Sequence, residues 1–255
     1  MGKDVFSIKE IFILYFTTLI LFVISSNIII RILGINGIPL THFLSIFAPS
    51  FSMIIIMKKD IKNLYFLNTP KNIRFFFWGI LLWIGVIILT GIYTYYATKF
   101  MSTNELIESF DYIFSQTTLF QQVIIIAVVP AVIEELFFRG VILSSLIKKT
   151  NVIIAVLISS LLFSLMHFSL IKIFPTFLLG ALFAFVVYKT NSIIPAMILH
   201  FGNNSISIIA QNAFTEIDLE PLSIMGGELN FKYIGLIFVI ILIKEGKIIY
   251  ERIQI

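Results

Sequence analysis

Residues 123–147 read VIIIAVVPAVIEELFFRGVILSSLI. The apolar side chains run on without period-two alternation, over a length that carries an α-helix across the ~30 Å hydrocarbon core of a bilayer. In lipid the backbone must satisfy its own hydrogen bonds, which leaves helices or closed barrels. A continuous, non-alternating run is therefore read as a helix. This helix nonetheless contains Glu134, Glu135 and Arg139, with Pro130 one turn upstream. A charge inside a bilayer costs at least a few kcal/mol, so each of the three needs a partner or a purpose.

The rest of the chain sets this stretch in context. Of 255 residues, 59% are hydrophobic and 13% charged, and the mean hydropathy is +1.03. Soluble domains are about a quarter charged. Too little polar surface remains for a water-soluble enzyme, a nucleic-acid binder or a disordered scaffold. Polar punctuation separates candidate helices at 8–33, 38–57, 74–97, 119–147, 151–170, 173–189, 192–211 and 231–249. The expected fold is all-α, a polytopic transmembrane bundle of about eight spans. No linker, low-complexity tract or internal repeat divides it, so residues 1–255 are expected to form one integral membrane domain with its functional core at about 119–211. The first apolar run, Ile11 to Leu33, follows Lys3 and Lys9 and lacks a small-residue cleavage site, which reads as a retained span.

The net charge of +4 follows from topology rather than from a polyanionic partner. With both termini placed in the cytoplasm of a multi-pass cell-membrane protein, only Arg31, Lys99, Lys172 and Lys232 fall outside. Apart from Arg139 within its span, the other lysines and arginines fall inside, which is the positive-inside pattern. The absence of cysteine excludes disulfides, thiolate metal sites and a cysteine nucleophile.

Helical geometry sorts the charges. Glu135 and Arg139 are four residues apart and share a face, so they can pair. Glu134 points about 100° away and is left unneutralised. Pro130 lacks an N–H and opens local space in the helix. Of the three histidines, His42 begins the second span beside Thr41 and reads as interfacial. His167 lies in the fifth span, and His200 and Asn204 stack one turn apart on the seventh. Counted from the cytoplasmic ends at 1.5 Å per residue, Glu134, His167, His200 and Asn204 lie about 20, 24, 12 and 18 Å deep. A site built from three neighbouring helices is geometrically open to them.

A carboxylate, two imidazoles and a carboxamide suit activation of water and stabilisation of the oxyanion formed when an amide is hydrolysed. The motifs EExxxR (Glu134, Glu135, Arg139), FxxxH (Phe163, His167) and HxxxN (His200, Asn204) occur in that order on successive helices. In this, residues 119–211 resemble the CAAX-protease and bacteriocin-processing (Abi) family of intramembrane glutamic endopeptidases. The resemblance implies a metal-independent protease without a cofactor. In it Glu134 and His167 activate water, His200 and Asn204 form the oxyanion site, and Glu135 and Arg139 support them. It also implies a peptide or protein substrate in the bilayer, prenylated in some members. Two other readings stay open on the residues alone. Glu134, His167 and His200 are one carboxylate and two imidazoles suitable for zinc, although no HExxH pair is present. A buried carboxylate also serves proton-coupled transporters.

Overall fold

The computed structural model describes residues 5–101 and 112–214. Seven of the expected spans fall there. The eighth, 231–249, lies outside the described residues. The bundle is all-helical: α1 (Ile8–Leu33), α2 (38–56), α3 (Arg74–Phe100), α4 (119–147), α5 (Val152–Leu165), α6 (Leu170–Thr190) and α7 (Ile194–Phe214), with no strand among the described residues.

Local chemistry sets the helix ends. Ser7 opens α1 in a capping box, its hydroxyl accepting from Glu10 N while Glu10 Oε2 accepts from Ser7 N. Thr118 and Gln121 do the same for α4, and Asn151 Oδ1 caps α5 at Ile154 N. At Gly34 the backbone adopts φ +60°, a region open to glycine. The chain reverses there, and 38–47 pack back along α1. The apolar stretch from Ile8 to Ile56 is therefore a helical hairpin. Asn191, at φ +53°, ends α6 in the left-handed conformation that asparagine tolerates.

α4 is the central helix. Residues 137–146 are all buried, which explains why its apolar character extends around the whole circumference. The outward faces carry exposed Phe16, Ile20, Phe77, Leu81, Ile84 and Ile198, the surface a bundle presents to lipid. Arg74–Phe100 and Leu170–Thr190 are each long and apolar enough to cross a membrane. Between helices in lipid, cohesion comes from close packing and polar contacts rather than from expelled water. Such contacts are present. Tyr15 OH donates to Leu162 O across α1 and α5 at 3.0 Å, and Ser159 Oγ donates to Phe138 O across α5 and α4 at 3.0 Å.

The turns sort by end. Phe6 N donates to Ser145 Oγ, Lys59 Nζ to Val5 O, Lys71 N to Thr190 O and Ile193 N to Phe66 O. These contacts gather 5–9, 57–74, 145–151 and 189–193, with most of the described lysines, at one end of the bundle. The fifth span is shorter than expected. α5 stops at Leu165, and residues 166–169 form a turn with Phe168 at φ +49°. His167 therefore sits on the α5–α6 turn rather than inside a span.

Candidate active site

α4 is irregular on either side of its two glutamates. Val129 N–H reaches back five residues to Ile124 O, and Ser144 N–H reaches Arg139 O. Wide turns of this π type are frequent at functional sites. The first ends where Pro130 would otherwise remove a regular hydrogen bond, so it absorbs the defect. A third wide turn, Phe43–Phe47, follows His42 directly. The two helices thus lose regularity where their polar side chains face each other.

Glu135 and Arg139 form the expected pair. Arg139 Nη1 lies 3.2 Å from Glu135 Oε1, and both side chains are fully buried. Arg139 Nη2 donates to Gly180 O at 3.0 Å, and its guanidinium lies over the Phe163 ring at 4.5 Å and the Phe183 ring at 5.5 Å. Gly180 makes that contact possible. A Cβ there would lie 3.2 Å from Ser160 Cα and 3.1 Å from Phe163 Cδ1, so a side chain at this position would push α5 and α6 apart by a few tenths of an ångström. Glu135 also does more than balance Arg139, because the same Oε1 accepts from His200 Nδ1 at 3.0 Å.

Glu134 points into a different set of groups. Its Oε2 faces His200 Nε2 at 3.9 Å and has no hydrogen-bond partner among the described residues. Its Oε1 lies 3.5 Å from His42 Nε2. The interfacial reading of His42 is therefore corrected: the side chain is buried against Glu134, its ring edge-on to Phe22. The signal was available in the sequence. Counted from the cytoplasmic end of its span, His42 lies about 22 Å deep, close to the ~20 Å of Glu134.

The histidine tautomers follow from their partners. His42 Nδ1 is 3.0 Å from Ile38 O, and His167 Nδ1 is 3.0 Å from Phe163 O. A carbonyl only accepts, so in both rings Nδ1 carries hydrogen, and Nε2 is bare unless the ring is cationic. In His200 the Glu135 carboxylate imposes the same tautomer. The first residue of the FxxxH motif has a physical role here. Phe163 supplies the carbonyl that orients His167, and its ring packs edge-on against His167 and His200 while carrying Arg139. Phe183 stacks on the His200 ring at 5.2 Å.

The four residues expected to act together are not equally close. His200 meets both glutamates. His167 is not among the ion-pair partners of Glu134, although the Phe163 ring joins it to the cluster. Asn204 shares the α4-facing side of α7 with His200, but its Nδ2 donates to Ile126 O at 2.9 Å. Its Oδ1 accepts from Asn203 Nδ2 at 3.3 Å, and Asn203 Oδ1 accepts from Trp83 Nε1 at 3.3 Å. This chain from α3 fixes which way the Asn204 amide points and leaves it one N–H unused. Trp83 and Asn203 carried no motif signal. Among the described residues no three His, Asp or Glu side chains are arranged to hold a metal ion.

The family comparison falls on the stretch that carries these residues. The family described as Type II CAAX prenyl endopeptidase Rce1-like matches residues 116–206. The Bacillus subtilis (strain 168) protein named "Putative membrane peptidase YdiL" is 33% identical over 89 residues, covering 35% of this chain and 36% of that relative. The match thus spans about a third of the relative's length. No solved structure matches the chain. The resemblance carried by the three motifs is borne out: over residues 116–206 this chain matches the Rce1-like family of type II CAAX prenyl endopeptidases.

Proposed function

We propose that this protein is an intramembrane endopeptidase that hydrolyses a peptide bond of a membrane-associated peptide or protein, with Glu134 as general base. The observation that carries the reading is the different state of the two adjacent carboxylates. Each keeps one buried oxygen without a hydrogen-bond partner among the described residues, but Glu135 is tied through Oε1 to the Arg139 guanidinium and His200, whereas Glu134 faces imidazoles alone, His42 on Oε1 and His200 on Oε2. A general base needs an oxygen free to take a proton from water.

Water bound at Oε2 gives that oxygen a proton as its own oxygen attacks the scissile carbonyl carbon. Negative charge then develops on the carbonyl oxygen, where the unused Asn204 N–H acts as a donor and the His200 ring, one turn away on the same face of α7, completes the oxyanion site. Each such contact is worth roughly 3–4 kcal/mol in other hydrolases. Collapse of the tetrahedral intermediate breaks the C–N bond, and the proton held by Glu134 passes to the leaving amine. The products are a carboxylic acid and an amine, which leave as carboxylate and ammonium, and Glu134 is regenerated. His167, with Nδ1 fixed and Nε2 available, assists the same proton transfer.

The matched family supports a substrate lodged in the bilayer, prenylated or simply apolar. Val128, Ala131, Met197 and Phe201 line an apolar groove between α4 and α7, one turn from Glu134. The lysine-rich end of the bundle is assigned to the cytoplasm, with both termini on that side. The test compares membrane peptides from cells with intact protein and with Glu134→Gln at equal abundance. A precursor that accumulates only in the variant is the expected result. Identical peptide profiles would overturn the reading.

A further inference from the structure

His42 lies outside residues 116–206, on the N-terminal hairpin that the family match does not cover. Its burial against Glu134 is not a consequence of the EExxxR, FxxxH and HxxxN motifs, and it needs its own account.

Two independent counts lead to the same proton. The first is charge. Glu134 and Glu135 carry two negative charges and Arg139 one positive charge, all in an apolar bundle. One uncompensated negative charge in such a medium is expensive, and one additional proton removes it. The second is geometry. His42 spends its Nδ1 hydrogen on Ile38 O, and His200 spends its own on Glu135. Both Nε2 atoms then face Glu134, one on each oxygen. With neutral rings and an ionised carboxylate, lone pairs would oppose lone pairs on both sides. One proton resolves the conflict on one side, and leaves the other oxygen free for water. His42 is the nearer ring, 3.5 Å from Oε1 against 3.9 Å between His200 and Oε2.

We propose that His42 is a positioning residue of the site, whose Nε2 holds Glu134 Oε1 through a shared proton and so aims Oε2 at the reacting water. The inference rests on Glu134 acting as base. The groups facing this pair are Glu135 and Arg139 from α4, His200 from α7, and His167 from the α5–α6 turn with Lys172 beyond it on α6. The Phe22 ring closes the α1 side. The N-terminal hairpin is then part of the active centre rather than a membrane anchor beside it. The wide turn at Phe43–Phe47 is the local irregularity that accompanies His42's orientation.

The test uses the full chain, labelled with 15N-histidine, in lipid nanodiscs. The chain has only three histidines, so H42Q, H167Q and H200Q assign every ring. Glu134→Gln is expected to shift the His42 Nε2 resonance, while Glu135→Gln leaves it in place and shifts His200 Nδ1. An unchanged His42 spectrum in Glu134→Gln overturns the proposal, whatever the protein's activity. The second arm follows a fluorogenic, membrane-anchored prenylated peptide. H42F is expected to lower kcat roughly 100-fold, the cost of about 1 Å of misplacement, with KM unchanged. H42Q should recover most of that loss, since its amide N–H can replace the one on Nε2. Equal kcat for H42F, H42Q and wild type would overturn the positioning role. If the wild-type protein cleaves nothing, the proteolytic reading fails, and the spectra still decide whether His42 and Glu134 share a proton.

Discussion

Replacing Glu135 by leucine removes the carboxylate paired with Arg139 and leaves a fully buried guanidinium with Gly180 O and two aromatic rings. Breaking a buried pair on one side costs about 3–5 kcal/mol. The remaining cation–π contacts with Phe163 and Phe183 hold the loss toward the lower end, since each contributes roughly 0.5–2 kcal/mol. At about 2–4 °C per kcal/mol for a chain of this length, the expected fall in Tm is roughly 6–12 °C. The double variant Glu135→Leu with Arg139→Met removes both charges and substitutes apolar volume, a change that is often neutral or stabilising. Its Tm should return to within a few degrees of wild type. Cleavage should not return, because His200 Nδ1 has lost the acceptor that fixes its tautomer. The assay is thermal unfolding in detergent, followed by cleavage per folded molecule in proteoliposomes. A double variant as unstable as the single one would refute the ion-pair argument. A double variant that is fully active would refute the role given to Glu135 in orienting His200.

Gly180→Ala should destabilise by about 1–3 kcal/mol, the usual cost of overpacking, because its Cβ meets the Ser160 backbone at 3.2 Å. Thermal unfolding reads this, and a Tm equal to wild type would contradict the close approach of α5 and α6. Reporters fused after Lys59 and Lys149 should both lie in the cytoplasm, and one within 34–37 on the opposite side. A reporter at 34–37 on the same side as the other two would reverse the hairpin and break the site. Cleavage should survive strong chelators, whereas loss restored by added zinc would favour a metalloprotease.

Much of this architecture was legible in the sequence because lipid imposes severe rules. Continuous apolar runs gave seven helices to within a few residues over most of their length, and the i, i+4 spacing gave the Glu135–Arg139 pair. What stayed hidden depends on how helices meet. Nothing in the sequence near Glu135 says that its oxygen also accepts from His200, 65 residues away. The fifth helix was overextended because Met166 and Phe168 are as apolar as the helix before them, and only the backbone at Phe168 reveals the turn. The start of the second span, with Thr41 beside it, suggests an interface for His42. Its depth measured from the other end matches that of Glu134. Trp83 and Asn203 bear on Asn204 from a helix that carries no motif at all.

The measurement that bears most directly on the central claim is cleavage per folded molecule for purified Glu134→Gln, with its thermal unfolding recorded on the same sample. Glutamine keeps the volume and can still accept a hydrogen bond from His42 or His200, but it cannot take a proton from water. The account predicts a Tm within a few degrees of wild type and no detectable turnover. Retained turnover in a folded Glu134→Gln protein would contradict it, most clearly if Glu135→Gln were folded and inactive.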